Sequence, residues 1–132
     1  MRTFKLGQII AERRFVFQSH AGWSRDVEVK IGLPMPDEAE GRAWVCPYEI
    51  SGIGDDGVFA IFGVDSMHAL DLAVHTIPAE LGAFARRSGG KFLYAGHPDT
   101  TLLRGCRMAL EYVGDIFPPS DGVRTRVGLA TS

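Results

Sequence analysis

Two groups of residues in this chain have the types and the spacing to do chemistry. His68, Asp71 and His75 stand at i, i+3 and i+7. On an α-helix these positions fall within about 60° of one another around the axis, so two imidazoles and a carboxylate would share one face. Imidazole nitrogen and carboxylate oxygen are zinc ligands, and the same groups can move protons. Spacing limits the metal reading, because His68 and His75 lie two turns apart, roughly 10.5 Å along the axis. Asp71 and His75 are one turn apart and can supply two ligands, with a third needed from elsewhere in the fold. A solvated helix face with a local Asp–His contact accounts for the same residues.

The second group is Tyr94, His97 and Asp99. The run His97-Pro98-Asp99-Thr100-Thr101 follows an expected strand and opens a segment that can be helical. Free amides at a helix start can hold an anion, so these three residues form the candidate ligand-binding set. His20, in a turn beside Trp23, reads as surface.

Other chemical signatures are missing. Cys46 and Cys106 lie sixty positions apart and neither belongs to a C-x-x-C pair, which removes support for a zinc knuckle or a thioredoxin-like site. Cys46 alternates with Trp44, Tyr48 and Ile50, as a core thiol would, and Cys106 also reads as packing. Ser51-Gly52-Ile53-Gly54-Asp55-Asp56-Gly57 has the glycines of a phosphate loop but precedes a strand, so a hairpin is the better account. No G-x-S-x-G elbow and no H-E-x-x-H occurs. No catalytic residue and no cofactor is assigned.

Elements of two periods must position these residues. Period-two alternation marks strands over Glu12–Gln18, with Phe15 and Phe17 on one face, and over Asp26–Leu33, with Val27, Val29, Ile31 and Leu33 on one face. Pro34 and Pro36 end the second strand, and Asp37–Gly41 reads as a solvated loop. Arg42–Ile53 and Val58–Val64 continue the pattern, the last being apolar on both sides. Short turns between them predict a four-stranded antiparallel meander.

The period then changes. Met67, Leu70, Val74, Ile77, Leu81 and Phe84 recur at steps of three and four, which predicts a helix over Ser66–Ser88. Asp65 or Ser66 can cap its start, and Gly89-Gly90 can end it. Pro78 inside it removes one backbone hydrogen bond, so a bend is expected there. Lys91–Ala95 reads as a fifth strand. Thr100–Val113 fits a short C-terminal helix or a strand, with helix preferred, and 118–132 reads as a tail. The fold class is α+β, with one domain over 1–132 and an ordered core over about 3–117.

Totals set the outer limits. The chain has 132 residues, 45% apolar and 23% charged, enough apolar surface for a core without staples. A formal net charge of −2 argues against a nucleic-acid partner, since phosphate binding calls for a basic excess. No apolar run approaches a membrane span, and the first residues lack the pattern of a secretory leader. The expectation is a cytoplasmic protein with reduced thiols and no membrane partner.

Two stretches carry a resemblance: WVCPYEISGIG, Trp44 to Gly54, and GVDSMHALDLAVHTI, Gly63 to Ile77. With the strand ending Gly32-Leu33-Pro34 they resemble a family of small bacterial proteins of unknown function. The shared pattern is W-x-C-P-Y-x-I-x-G on a strand, then G-V-D-S-x-x-A-L-x-L-A entering a helix. It spans about Glu12 to Gly96. His68 departs from it, standing where glutamine is usual. The resemblance implies an architecture and no activity. Strand Val58–Val64 needs cover on both faces, from the C-terminal segment or from another subunit. The leading expectation is therefore a non-enzymatic interaction or accessory module, forming a homodimer or binding another protein. A small enzyme or ligand-binding domain, using His97, Asp99 and Tyr94 or His68, Asp71 and His75, is the alternative. An immunity or antitoxin protein is a third class, decided by genomic context.

Overall fold

A computed structural model describes residues 2–98, apart from Glu40 and Arg42. Asp99, Cys106, the expected helix Thr100–Val113 and the expected tail lie outside the described residues. The fold is α+β: an antiparallel sheet with one helix packed on it.

Alternation of apolar and polar residues builds the sheet. Its strands are β1 (Ile9–Ser19), β2 (Ser24–Gly32), β3 (Met35–Pro36), β4 (Trp44–Ser51) and β5 (Val58–Gly63). The helix α1 (Ser66–Ser88) is followed by β6 (Gly90–Tyr94) and β7 (His97–Pro98). β1, β2, β4 and β5 form the expected meander, with Phe15 opposite Val27, Ile31 opposite Tyr48, and Cys46 opposite Ile61. β6 pairs with the outer side of β1, placing Phe92 opposite Phe17, and β7 pairs with β6.

Two strand details differ from the sequence reading. Pro34 interrupts the ladder without ending it: β3 resumes on the same side of β4, with Met35 opposite Val45. Proline lacks the amide the ladder needs, so the strand breaks and re-enters one residue later. The second detail is Asp37, expected in a solvated loop, which is buried.

Helix α1 has the bounds its caps predict. The Asp65 carboxylate accepts a hydrogen bond from the His68 amide at 2.8 Å, and Gly89, at φ 70, donates its amide to Ala85. Arg86 and Arg87 in the last turn suit the negative end of the helix dipole. The helix continues through Pro78 as one element. Its buried face, however, is rotated from the expected stripe. Ala69, Leu72, Ala73, Thr76, Ile77, Leu81 and Phe84 face the sheet, while Met67 is 79% exposed and Val74 41%. Close packing is the cause. A Cβ on Gly63 would lie 2.4 Å from the Ala69 amide, so strand and helix meet at van der Waals range. Small Ala69 and Ala73 fit that gap; Met67 and Val74 do not.

The core lies between α1 and one sheet face, with Phe15, Phe17, Tyr48, Phe59, Ile61 and Leu72 among its largest members. Phe17 meets Phe84 and Phe92 edge to face, at 4.8 and 5.1 Å between ring centroids. The opposite sheet face has a cover the sequence reading did not anticipate. Residues 2–8 cross it over β4 and β5 as an irregular arm. Phe4 stacks edge-on against Phe62 at 5.8 Å, the Leu6 backbone lies against Gly32, and the Gln8 carbonyl accepts from the Leu33 amide at 2.8 Å. Arg2 then reaches Asp37, bonding both carboxylate oxygens at 2.7 and 3.1 Å.

Candidate functional site

The structure separates the first predicted group. Asp71 and His75 come together, with His75 Nδ1 2.8 Å from the Asp71 carbonyl and 3.2 Å from its carboxylate. A carbonyl only accepts, so that Nδ1 carries the proton. His68 turns the other way: its Nδ1 accepts from the Val64 amide at 3.0 Å and supports the entry to α1 beside the Asp65 cap. Among the described residues no three His, Cys, Asp or Glu side chains stand where they could hold a metal ion together.

Of the second group, Tyr94 and His97 face each other across the β6–β7 hairpin, both exposed, and Asp99 lies outside the described residues. Tyr94 is engaged on its ring face: the Arg13 guanidinium sits over it at 4.5 Å, and Phe15 meets it edge-on at 6.3 Å. Cation–π contact of this kind stabilises the hairpin against β1.

Cys46 is fully buried, and burial pushes its thiol up to about 11. A thiolate is scarce at neutral pH under those conditions, so Cys46 packs and does not attack. A polar pair that sequence reasoning missed lies close by. The buried Tyr48 hydroxyl donates to the Glu80 carboxylate beneath α1. Glu80 stands four residues after Thr76 on the sheet-facing side, a position that becomes visible once the helix face is set correctly.

The face carrying Arg14, Glu28 and Lys30 is polar. Glu28 accepts from Arg14 at 2.8 Å and from Lys30 at 3.1 Å. Lys30 and Arg14 hold the Glu28 carboxyl below its ordinary range, and Glu28 in turn raises Lys30. Arg14 and Glu28 line an open depression of about 530 Å3 over β1 and β2, bordered by Asp26, Ser51 and Leu93. Its geometry is that of a solvated sheet face.

Apolar exposure is concentrated elsewhere. Ile9, Ile10, Leu33, Met35, Val64 and Met67 are all exposed. The register places them at one end of the sheet, where Ile9 stands opposite Gly32, Met35 opposite Val45, and Trp44 opposite Gly63 just before α1. Above this end lies a groove of about 320 Å3 lined by Ala11, Glu12, Arg13, Val29, Ile31, Val74 and Ile77. Its origin is the path of α1. The helix starts against Gly63 of β5 and ends with Phe84 against Phe17 and Phe92, crossing the sheet diagonally. One corner of the sheet is left without a helix above it. The exposed half of the sequence stripe, Val74, forms the wall of that groove.

No curated protein and no solved structure matches the chain. A family model described as a domain of unknown function, DUF6968, matches residues 11–102, well over half of the sequence and the same stretch that carries both motifs. The chain belongs to the DUF6968 family.

Proposed function

We propose that this protein is a non-enzymatic interaction module that self-associates through the apolar end of its sheet. One observation carries the reading. Six of the ten large apolar side chains exposed among the described residues lie at that end. Apolar exposure gathered at one end of a sheet costs solvation free energy in a lone copy and can mark a contact surface. The histidines support the same reading, since those described are engaged in local structure or stand on an open hairpin. A net charge of −2 fits a protein partner better than a nucleic acid, and the free, buried Cys46 suits a reducing compartment such as the cytoplasm. No helix among the described residues is long and apolar enough to cross a membrane.

The test is light scattering coupled to size exclusion over a concentration series. A dimer is expected for the unmodified chain, and Ile10→Glu combined with Leu33→Glu is expected to return it to monomer. A clean monomer at micromolar concentration, unchanged by the substitutions, would overturn the proposal.

The corner groove favours a second reading, a small apolar ligand, because its volume reaches the lower end of ligand pockets, about 300 Å3. A thermal-shift screen of apolar fragments checks it, with Val74→Trp expected to abolish any stabilisation.

A further inference from the structure

We propose that two copies of this chain associate by exchanging their N-terminal arms, each arm lying across the sheet of the other copy. The inference rests on the apolar end being a self-association surface and supplies its mechanism. The cradle already shows which segment fits it. Asp37, 3% exposed, receives both forks of the Arg2 guanidinium, Phe62 receives Phe4, and the surface beside Gly32 receives the Leu6 backbone. Every copy of the chain carries the same arm and the same cradle, so each of these contacts is equally available from a neighbour.

The hinge is built for movement. Gly7 joins arm to body at φ 66, in the left-handed region that glycine alone enters without strain, and a Cβ there would meet nothing within 4 Å. On the body side the chain is fixed, since the Gln8 carbonyl is held by the Leu33 amide. Residues 2–7, extended, span about 20 Å, enough to reach across a contact between two copies. The hinge also decides where the second copy stands. Ile9 and Ile10 follow it, and Leu33 and Met35 lie at the same end of the sheet beyond the Gln8–Leu33 hydrogen bond, all exposed. Exchange about a two-fold axis at Gly7 brings these residues of both copies together. Closed monomer and exchanged dimer share the arm–cradle contacts, so the dimer gains the burial of the apolar end and the relaxed hinge.

Light scattering and crosslinking on the full chain distinguish the outcomes. Gly7→Val resists a positive φ, which the closed arm needs and an extended hinge does not. It is expected to raise the dimerisation constant by roughly tenfold or more. The arm–cradle contacts are the same in closed monomer and exchanged dimer, so exchange itself is read by a crosslink between Arg2→Cys and Asp37→Cys in a chain carrying Cys46→Ala and Cys106→Ala. Oxidation of the dimer peak is expected to link the two chains covalently. Suppose instead that the crosslink lies within single chains while Ile10→Glu with Leu33→Glu abolishes the dimer. Exchange is then overturned, and direct contact through the apolar end stands. If every chain is monomeric, Gly7→Val included, both proposals fall.

Discussion

The two faces of the sheet are closed by different physics. Under α1 the contact is a buried cluster: aromatic and aliphatic side chains pack together, and Tyr48 finds its hydroxyl partner in Glu80. On the other face, cover comes from seven irregular residues whose contacts include the Phe4–Phe62 ring pair, the Arg2 guanidinium 5.8 Å from the Phe62 ring centre, the Gln8–Leu33 backbone hydrogen bond and the forked Arg2–Asp37 ion pair. The rest of that face carries ion pairs in water. A sheet can thus have one face specified by many redundant contacts and another specified by a few. Loss of a single contact should therefore be felt very differently on the two sides.

The helix side should show the largest effect. Phe17→Ala empties a fully buried position between Phe84 and Phe92 and is expected to cost about 3–5 kcal/mol in urea unfolding. A smaller loss would mean that this face is less tightly packed than its geometry implies. Thiol chemistry sharpens the same point. With Cys46 pushed up to about 11, alkylation at pH 8 should run about a hundredfold slower in the native protein than in urea, followed on the Cys46 peptide by mass spectrometry.

On the arm side, Arg2→Ala strands the buried Asp37 carboxylate and is expected to cost about 1–3 kcal/mol. The same ion pair sets a pH dependence. Arg2 holds the Asp37 carboxyl below its ordinary value. Its contribution is therefore complete above the unfolded carboxylate value of about 4, and it is lost as pH falls through the lower folded value. Urea midpoints measured from neutral pH into acid should fall less steeply in Asp37→Asn. Arg14→Ala, which breaks an exposed pair with Glu28, should leave the urea midpoint almost unchanged. A loss as large as that of Arg2→Ala would erase the distinction drawn between anchored and solvated parts of this face.

Much of the first face was legible in the sequence. Alternation at Phe15 and Phe17, at Val27 and Val29, and at Cys46, Tyr48 and Ile50 located the strands and their inward side. The caps at Asp65 and Gly89 gave both ends of α1. Rotation of the helix escaped notice because hydrophobicity alone favours Met67 and Val74 over Ala69, Ala73 and Thr76. Which of these faces inward is decided by how close Gly63 lets the backbones come, a tertiary distance with no local signal. The arm escaped for a different reason. It has no period, and its anchor joins residues 35 positions apart. The site residues followed the same division: the placement of His68 on α1 could be read, but its use as an acceptor for the Val64 amide could not.

One consequence follows from where the exposed apolar residues lie. Six of the ten exposed large apolar side chains among the described residues gather at the end where β1 begins and β2 finishes, while the hairpin turn at Gly22 occupies the far end beside Trp23. In the proposed two-fold pair each copy would use its apolar end on the other, so assembly through that surface would close at two and not grow into a filament. The turn at Gly22 then projects outward from both halves of the pair, where a label or a surface linkage can be attached without obstructing the contact.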